Sequence, residues 1–299
     1  MPSARVKTGP MGRLLYKHEL LRGYALFSPV ILVMSFAILV PLALLIALSF
    51  WTQVGFEYNT TLILQNYRTA VEKPIYGALL MRSLWISGTA TIATVLLSYP
   101  MAYYAAFHVH RHKMIWIILI TLPFWTSYLL RVFAWRVILG YDGVNNSGLM
   151  TLGLIDQPLR FLLYNPTAVS ITLAHAWAAF AILPIYVSLE KIDKSYLEAA
   201  ADLGDGPVAR FLRKTLPLSM PGVISAVFLM FIPTLGDYVT PSLVGGPDSI
   251  MIGNLIQLQF GPAYNWSMGA ALSMILVVTI GILGIGFLGL IRMFRRSAV

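Results

Sequence analysis

Residues 24–56 contain no charged side chain. An α-helix needs roughly 20 apolar residues to cross the hydrocarbon core of a bilayer, and this run exceeds that length. Similar windows recur toward the C-terminus. A secretory signal also follows a basic start such as Arg5, Lys7, Arg13, Lys17 and Arg22, but its apolar core is only about 7–15 residues, so the run reads as an uncleaved span. Of the 299 residues, 11% are charged and 58% are apolar, where a soluble domain has roughly 25% charged. A polytopic membrane bundle consumes nearly all of the sequence and leaves no soluble domain of useful size.

Six spanning helices are expected near 24–51, 83–107, 114–139, 167–189, 219–240 and 267–291. Lys and Arg sort the segments between them by side. Fifteen lie in the N-terminus, the 108–113 loop, the 190–218 loop and the tail; Arg68, Lys73 and Arg160 lie in the opposite loops; Arg82, Arg131 and Arg136 lie in or at the spans. Positive charge stays on the cytoplasmic side, so both termini are expected there. The expected divisions are a cytoplasmic N-terminus (1–23), a membrane domain (24–291) and a basic cytoplasmic tail (292–299). The same distribution accounts for the net charge of +9 without nucleic acid as a partner. The exterior segments, 52–82, 140–166 and 241–266, are rich in turn formers. Residues 250–260 fit a short amphipathic helix at the outer surface, and their apolar positions also fit a strand.

Cysteine is absent, which excludes disulfides, thiol chemistry and cysteine metal sites. His108, His110 and His112 cluster, but no carboxylate accompanies them and Arg111 and Lys113 would repel a cation, so they read as a basic interfacial loop. His175 reads as packing within the fourth span. Gly281, Gly284, Gly286 and Gly289 permit close helix contact in the sixth.

The 190–218 loop is the longest connection on the basic side. Asp193 or Ser195 is suited to cap a helix with Glu198 in its first turn. Ala199, Ala200 and Ala201 favour helix and leave a thin face, and Gly204 supplies a stop. Pro207 opens a second segment, Val208 to Thr215, expected to end at Pro217. A short helix of small residues with a carboxylate is something a groove on a partner can grip.

Glu198-Ala199-Ala200, Gly204 and Leu216-Pro217 stand in the order and spacing of the cytoplasmic loop of ABC importer permeases, a family the chain resembles. Lys214 departs from that pattern, standing where the family usually has Ile or Val. Residues 122–131, from Leu122-Pro123-Phe124-Trp125 to Arg131, are similar to the third-span stretch of spermidine/putrescine permeases of the PotB/PotH type. So are Leu235-Gly236-Asp237-Tyr238-Val239-Thr240-Pro241, Asn66-Tyr67, and Ile252-Gly253-Asn254 with Gln259-Phe260. The resemblance implies an all-α, six-helix type I permease bundle whose Glu198, Ala199, Ala200, Asp202, Gly204, Leu216 and Pro217 dock an ATPase. It implies an ABC ATPase dimer, a second permease chain and a periplasmic or lipid-anchored substrate-binding protein as partners, in the bacterial inner membrane. The chain has no Gly-x-x-x-x-Gly-Lys-Ser/Thr loop, so it is expected to be no enzyme and to bind no cofactor, with ATP and Mg held by the ATPase. A polyamine is the implied cargo, with an opine, an amino-acid derivative or another amine as the alternative within the family. A stand-alone secondary transporter is a different class, disfavoured by the lack of a visible inverted repeat.

Asp237 is the one carboxylate expected within a span, and intramembrane acids usually face a cavity or a partner. Two roles are open to it. It could line a cation pathway with Tyr238, Trp125 and Tyr128, since aromatic faces attract ammonium groups. It could instead pair with Arg131 or Arg136 as a latch. Trp125 and Tyr128, three apart, are expected on one helix face.

Overall fold

The computed structural model describes residues 19–109, 111–162 and 164–297. Arg5, Lys7, Arg13, Lys17, His18 and His110 lie outside the described residues.

Apolar residues on all sides make long helices the dominant element. The first, α1 (Glu19–Phe50), leads into a hairpin of β1 (Thr52–Val54) and β2 (Glu57–Asn59), antiparallel with Gln53 opposite Tyr58. A short α2 (Gln65–Glu72) follows, then α3 (Pro74–Phe107). The second span was expected from residue 83, but α3 begins at Pro74, where a missing N–H costs nothing at a helix start. Arg82 is thus inside the helix, where its Nη1 donates to the carbonyls of Pro247 and Ile250 at 3.2 and 3.4 Å.

The third span is not the continuous helix expected over 114–139. It consists of α4 (Lys113–Thr121), a 3-10 turn over Leu122–Trp125, and α5 (Tyr128–Leu139). The segments before and after the break, Lys113–Trp125 and Tyr128–Thr151, are bent by 86°. Pro123 offers no N–H to continue the ladder, and Thr126 and Ser127 are extended, with ψ of 156° and 136°.

After α6 (Val144–Thr151) and α7 (Pro166–Glu190) come α8 (Lys194–Asp202) and α9 (Pro207–Arg210). A π-helical turn over Phe211–Thr215 joins α9 to α10 (Leu216–Leu235), and α11 (Val239–Val244), α12 (Ile252–Phe260) and α13 (Trp266–Ser297) complete the chain. The 250–260 segment is therefore helical. Among the described residues, five helices are long and apolar enough to cross a membrane, or six spans if the bent pair counts as one.

Helices α3, α7 and α10 form the centre. Toward the 190–218 connection they share Ala102, Ala106, Ile185, Leu189 and Ala226; toward the other end Ile86, Val169, Leu173 and Met230 meet Val132 of α5 and Val244 of α11. Helix α1 packs mainly along α13, and much of its surface is open. Of the four glycines expected to permit close helix contact in α13, Gly284 approaches another helix among the described residues, at Phe228.

Side chains knit the end where α1 finishes and α13 begins. Gln53 accepts from Trp266 N and donates to the Tyr264 carbonyl, both at 2.8 Å. Asn66 donates to the carbonyls of Ser49 and Trp51 at 2.9 and 2.7 Å, and so holds α2 against the end of α1.

Candidate functional site

The 190–218 connection is ordered by local chemistry. Asp193 caps α8, its carboxylate accepting from Ser195 N at 2.9 Å. That hydrogen bond holds the Asp193 carboxyl below its ordinary range, because it favours the charged form. The helix begins at Lys194, so Glu198 falls in its second turn and not the first, and the capping acid is Asp193 itself. Gly204 adopts φ of +90° with open space where a Cβ would lie, so the left-handed backbone alone demands glycine here. Asp205 N then bonds the Ala200 carbonyl at 3.0 Å and Gly204 N the Ala201 carbonyl at 2.9 Å, which satisfies the last carbonyls of the helix. Glu198, Ala199, Asp202 and Gly204 face outward, and Ala200 is buried.

The second segment does not stop at Pro217. The chain is helical without interruption from Pro207 to Leu235, and the π turn explains how. Pro217 has no N–H for the Arg213 carbonyl and its ring would crowd that group. Widening the preceding turn relieves both, and Leu216 N bonds the Phe211 carbonyl five residues back. Lys214 sits in this turn, exposed. Phe211 anchors the turn against α3, its ring edge-on to Tyr99 and Tyr103 at 5.7 and 6.1 Å. Tyr99 Oη lies 2.7 Å from Ser219 Oγ, and Arg213 pairs with Asp205 at 3.0 Å.

The second candidate site lies where two spans break. Helix α10 ends at Leu235, so Asp237 occupies the break before α11 and not a helix interior, and it is buried. Its Oδ2 accepts from the Tyr128 hydroxyl and from Thr240 Oγ1 at 2.5 Å. Its Oδ1 accepts from the backbone N–H groups of Val239 at 2.9 Å and Thr240 at 3.4 Å. Tyr128 Oη and Thr240 Oγ1 are themselves 2.6 Å apart.

The direct pairing of Asp237 with Arg131 or Arg136 does not occur. Ion pairs among the described residues are Arg68–Glu72, Lys113–Glu190 and Arg213–Asp205. Arg131 instead donates to the Ala176 carbonyl of α7 at 2.6 Å, with its guanidinium 5.4 Å from the Phe124 ring centre and 5.8 Å from that of Tyr128. Arg136 is exposed. Trp125 and Tyr128 do not share a helix face, because the break at Thr126 and Ser127 falls between them. Trp125 is 84% exposed and Tyr238 46%.

A groove of about 850 Å³ runs between α3, the broken third span and α7. Its wall includes Trp85, Trp116, Phe124, Trp135 and His175, with Arg131 as its charged residue. Asp237, Tyr238, Trp125 and Tyr128 lie outside that lining. Among the described residues no three His, Cys, Asp or Glu side chains gather as a metal site.

Thr240 and Phe211 were missed in the sequence. Thr240 was legible in principle: an Asp followed at the second and third positions by the opening residues of a helix is the pattern of a capping turn. Phe211 carries no comparable signal.

A family model described as "Binding-protein-dependent transport system inner membrane component" matches residues 10–297. Over 249 residues the chain is 36% identical to the spermidine/putrescine transport system permease protein PotB of Haemophilus influenzae, covering 83% of this chain and 86% of that one. The PotB protein of Escherichia coli K12 is 35% identical over 247 residues, covering 82% and 89%. Among solved structures, a bacterial ABC transporter involved in the import of the acidic polysaccharide alginate superimposes with a TM-score of 0.70 at 16% identity, over 96% of this chain and 99% of that one. That likeness speaks for the fold, while the sequence match extends across the connection and the broken spans alike. The chain belongs to the family of inner membrane components of binding-protein-dependent transport systems, the permease subunits of ABC importers.

Proposed function

We propose that this permease forms half of the translocation pathway for a small organic cation, a polyamine such as putrescine or spermidine. The observation that carries the reading is the 36% identity, over more than four-fifths of both chains, to a relative named for spermidine/putrescine transport. Both termini and the 190–218 connection lie on the cytoplasmic side, a reading supported by the Lys and Arg distribution. There the exposed face of α8, with Glu198, Ala199 and Asp202, seats in a groove of an ATPase dimer, and Leu216-Pro217 sets the turn that carries motion into α10. The chain is non-catalytic; ATP and Mg are held by the ATPase. A second permease chain supplies the other half of the pathway, and a periplasmic or lipid-anchored binding protein delivers cargo.

The groove between α3, α4–α5 and α7 is the face this chain contributes to that pathway, with Trp85, Trp116 and Trp135 able to contact methylenes and ammonium groups. Tyr238 and Trp125, both open, are candidate cargo contacts at the ends of the breaks. The cargo is tested by calorimetry on the partner binding protein with putrescine, spermidine, opines and amino acids. Tight binding of a polyamine alone is the expected result; binding of another solute with silence toward polyamines would keep the permease and replace the cargo.

A further inference from the structure

We propose that Asp237 is a positioning residue that latches the broken third span to the break after α10, and that it makes no contact with the cargo. The proposal rests on the permease reading above. It stands on the saturation of the carboxylate. An ionised carboxylate has about four acceptor sites, and four donors converge on Asp237: the hydroxyls of Tyr128 and Thr240 on Oδ2, and the N–H groups of Val239 and Thr240 on Oδ1. Its residue exposure is 8%, and neither it nor Tyr128 nor Thr240 reaches the groove. An arriving ammonium would have to strip away these partners before meeting the acid.

The donors come from elements that the two breaks would otherwise leave loose. Tyr128 is the first residue of α5, just past the extended Thr126 and Ser127. Arg131 contacts it as well, its guanidinium 5.4 and 5.8 Å from the ring centres of Phe124 before the break and Tyr128 after it, while bonded to the Ala176 carbonyl of α7. Val239 and Thr240 open α11. Helix α12 closes the arrangement from the far side. A Cβ on Gly253 would sit 2.5 Å from the Gly236 carbonyl oxygen, and Asn254 donates to the Tyr238 carbonyl at 2.8 Å. The starts of α5 and α11 therefore meet at one carboxylate in the break after α10, and removing either hydroxyl donor loosens the outer ends of two spans together.

The test uses the full importer reconstituted in liposomes: this chain, its ATPase, the second permease and the binding protein, with spermidine as the probe. The chain has no cysteine, so Leu130→Cys and Asp248→Cys place spin labels selectively at two exposed positions on either side of the latch, provided the other subunits are cysteine-free. The unmodified latch should give one narrow distance distribution. Tyr128→Phe, Thr240→Val and Asp237→Asn should each broaden it and lower maximal uptake by about fivefold or more, and Tyr128→Phe with Asp237→Asn should be no worse than Asp237→Asn alone, as for residues in one network. A distribution that stays narrow in all three variants would overturn the latch. So would loss of uptake in Asp237→Asn alone, with Tyr128→Phe and Thr240→Val transporting like the unmodified complex, since that marks a cargo contact. Absence of uptake by the unmodified complex would count against the permease reading or its cargo, and the distances would still judge the latch.

Discussion

Lys113 Nζ reaches both carboxylate oxygens of Glu190, at 2.8 and 3.1 Å, and also the Ala106 carbonyl at 3.2 Å. One ammonium group thus ties the start of α4 to the ends of α7 and α3, on the same end of the bundle as the 190–218 connection. Both side chains are about one-third exposed, so solvent weakens the pair and its net worth is at most about 1 kcal/mol. Lys113→Glu should lower the melting temperature of the purified complex slightly and reduce uptake, and adding Glu190→Lys should recover most of both. Failure of the double variant to recover would show that the Ala106 contact, and not the ion pair, is what matters.

Substituting Gly204 tests the connection through backbone geometry alone. Its φ of +90° penalises any side chain even though the space is open, at a cost of about 1 kcal/mol for alanine. Gly204→Ala should leave membrane insertion and total protein intact while reducing co-purification of the ATPase several-fold. A complex that assembles normally would remove the end of α8 from the proposed docking surface.

Pro217→Ala probes the π turn. With an N–H restored at 217, the helix can revert to regular spacing, and one residue fewer per widened turn rotates everything before it by about 100°. Phe211 would then leave Tyr99 and Tyr103, and α8 would be re-aimed. Assembly should persist partially, but ATP hydrolysis should lose its coupling to uptake, measured as ATPase activity per spermidine imported. Unchanged coupling would mean that the turn survives without the proline.

The cap of α8 fixes a pH expectation. The Asp193 carboxyl lies below its ordinary range because Ser195 N–H stabilises the charged form. For a depressed acid the stabilisation is complete above the unfolded value and disappears as pH falls through the folded one. The cap should therefore give assembly with the ATPase no pH dependence between pH 6 and 8, a window above the ordinary carboxylate range of about 4. Asp193→Asn, which keeps an acceptor, should match the unmodified chain in a pull-down across that window, whereas Asp193→Ala should weaken it at every pH.

Much of this was readable from residue order because the relevant signals are local. The charge-free run predicts α1, and Gly204 marks the end of α8 by its own backbone freedom. The 250–260 segment, ambiguous between helix and strand by periodicity, becomes a helix once Asn254 caps it by accepting from Met251 N at 3.0 Å. The errors also share a cause. Arg82 looked like a boundary because a charge interrupts an apolar run, yet its head is satisfied by carbonyls of a segment more than 160 residues away. The third span looked continuous because Leu122 to Leu130 are mostly apolar on both sides of a break that hydropathy does not register. Charge logic offers Arg131 or Arg136 as a counter-ion for Asp237, but the carboxylate is held by the hydroxyls of Tyr128 and Thr240 and by backbone N–H groups, while Arg131 bonds the Ala176 carbonyl.

The unbroken helix from Pro207 to Leu235 has 29 residues, a rod of about 43 Å at 1.5 Å per residue. Its foot is the turn gripped by α3, and its tip stops two residues short of Asp237. Pro221 and Pro233 lie within it, yet the helix stays continuous across both, so it can serve as a lever arm: a tilt of about 5° at the foot, carried along its length, sweeps the tip sideways by about 4 Å. That is more than any hydrogen bond in the Asp237 cluster can stretch.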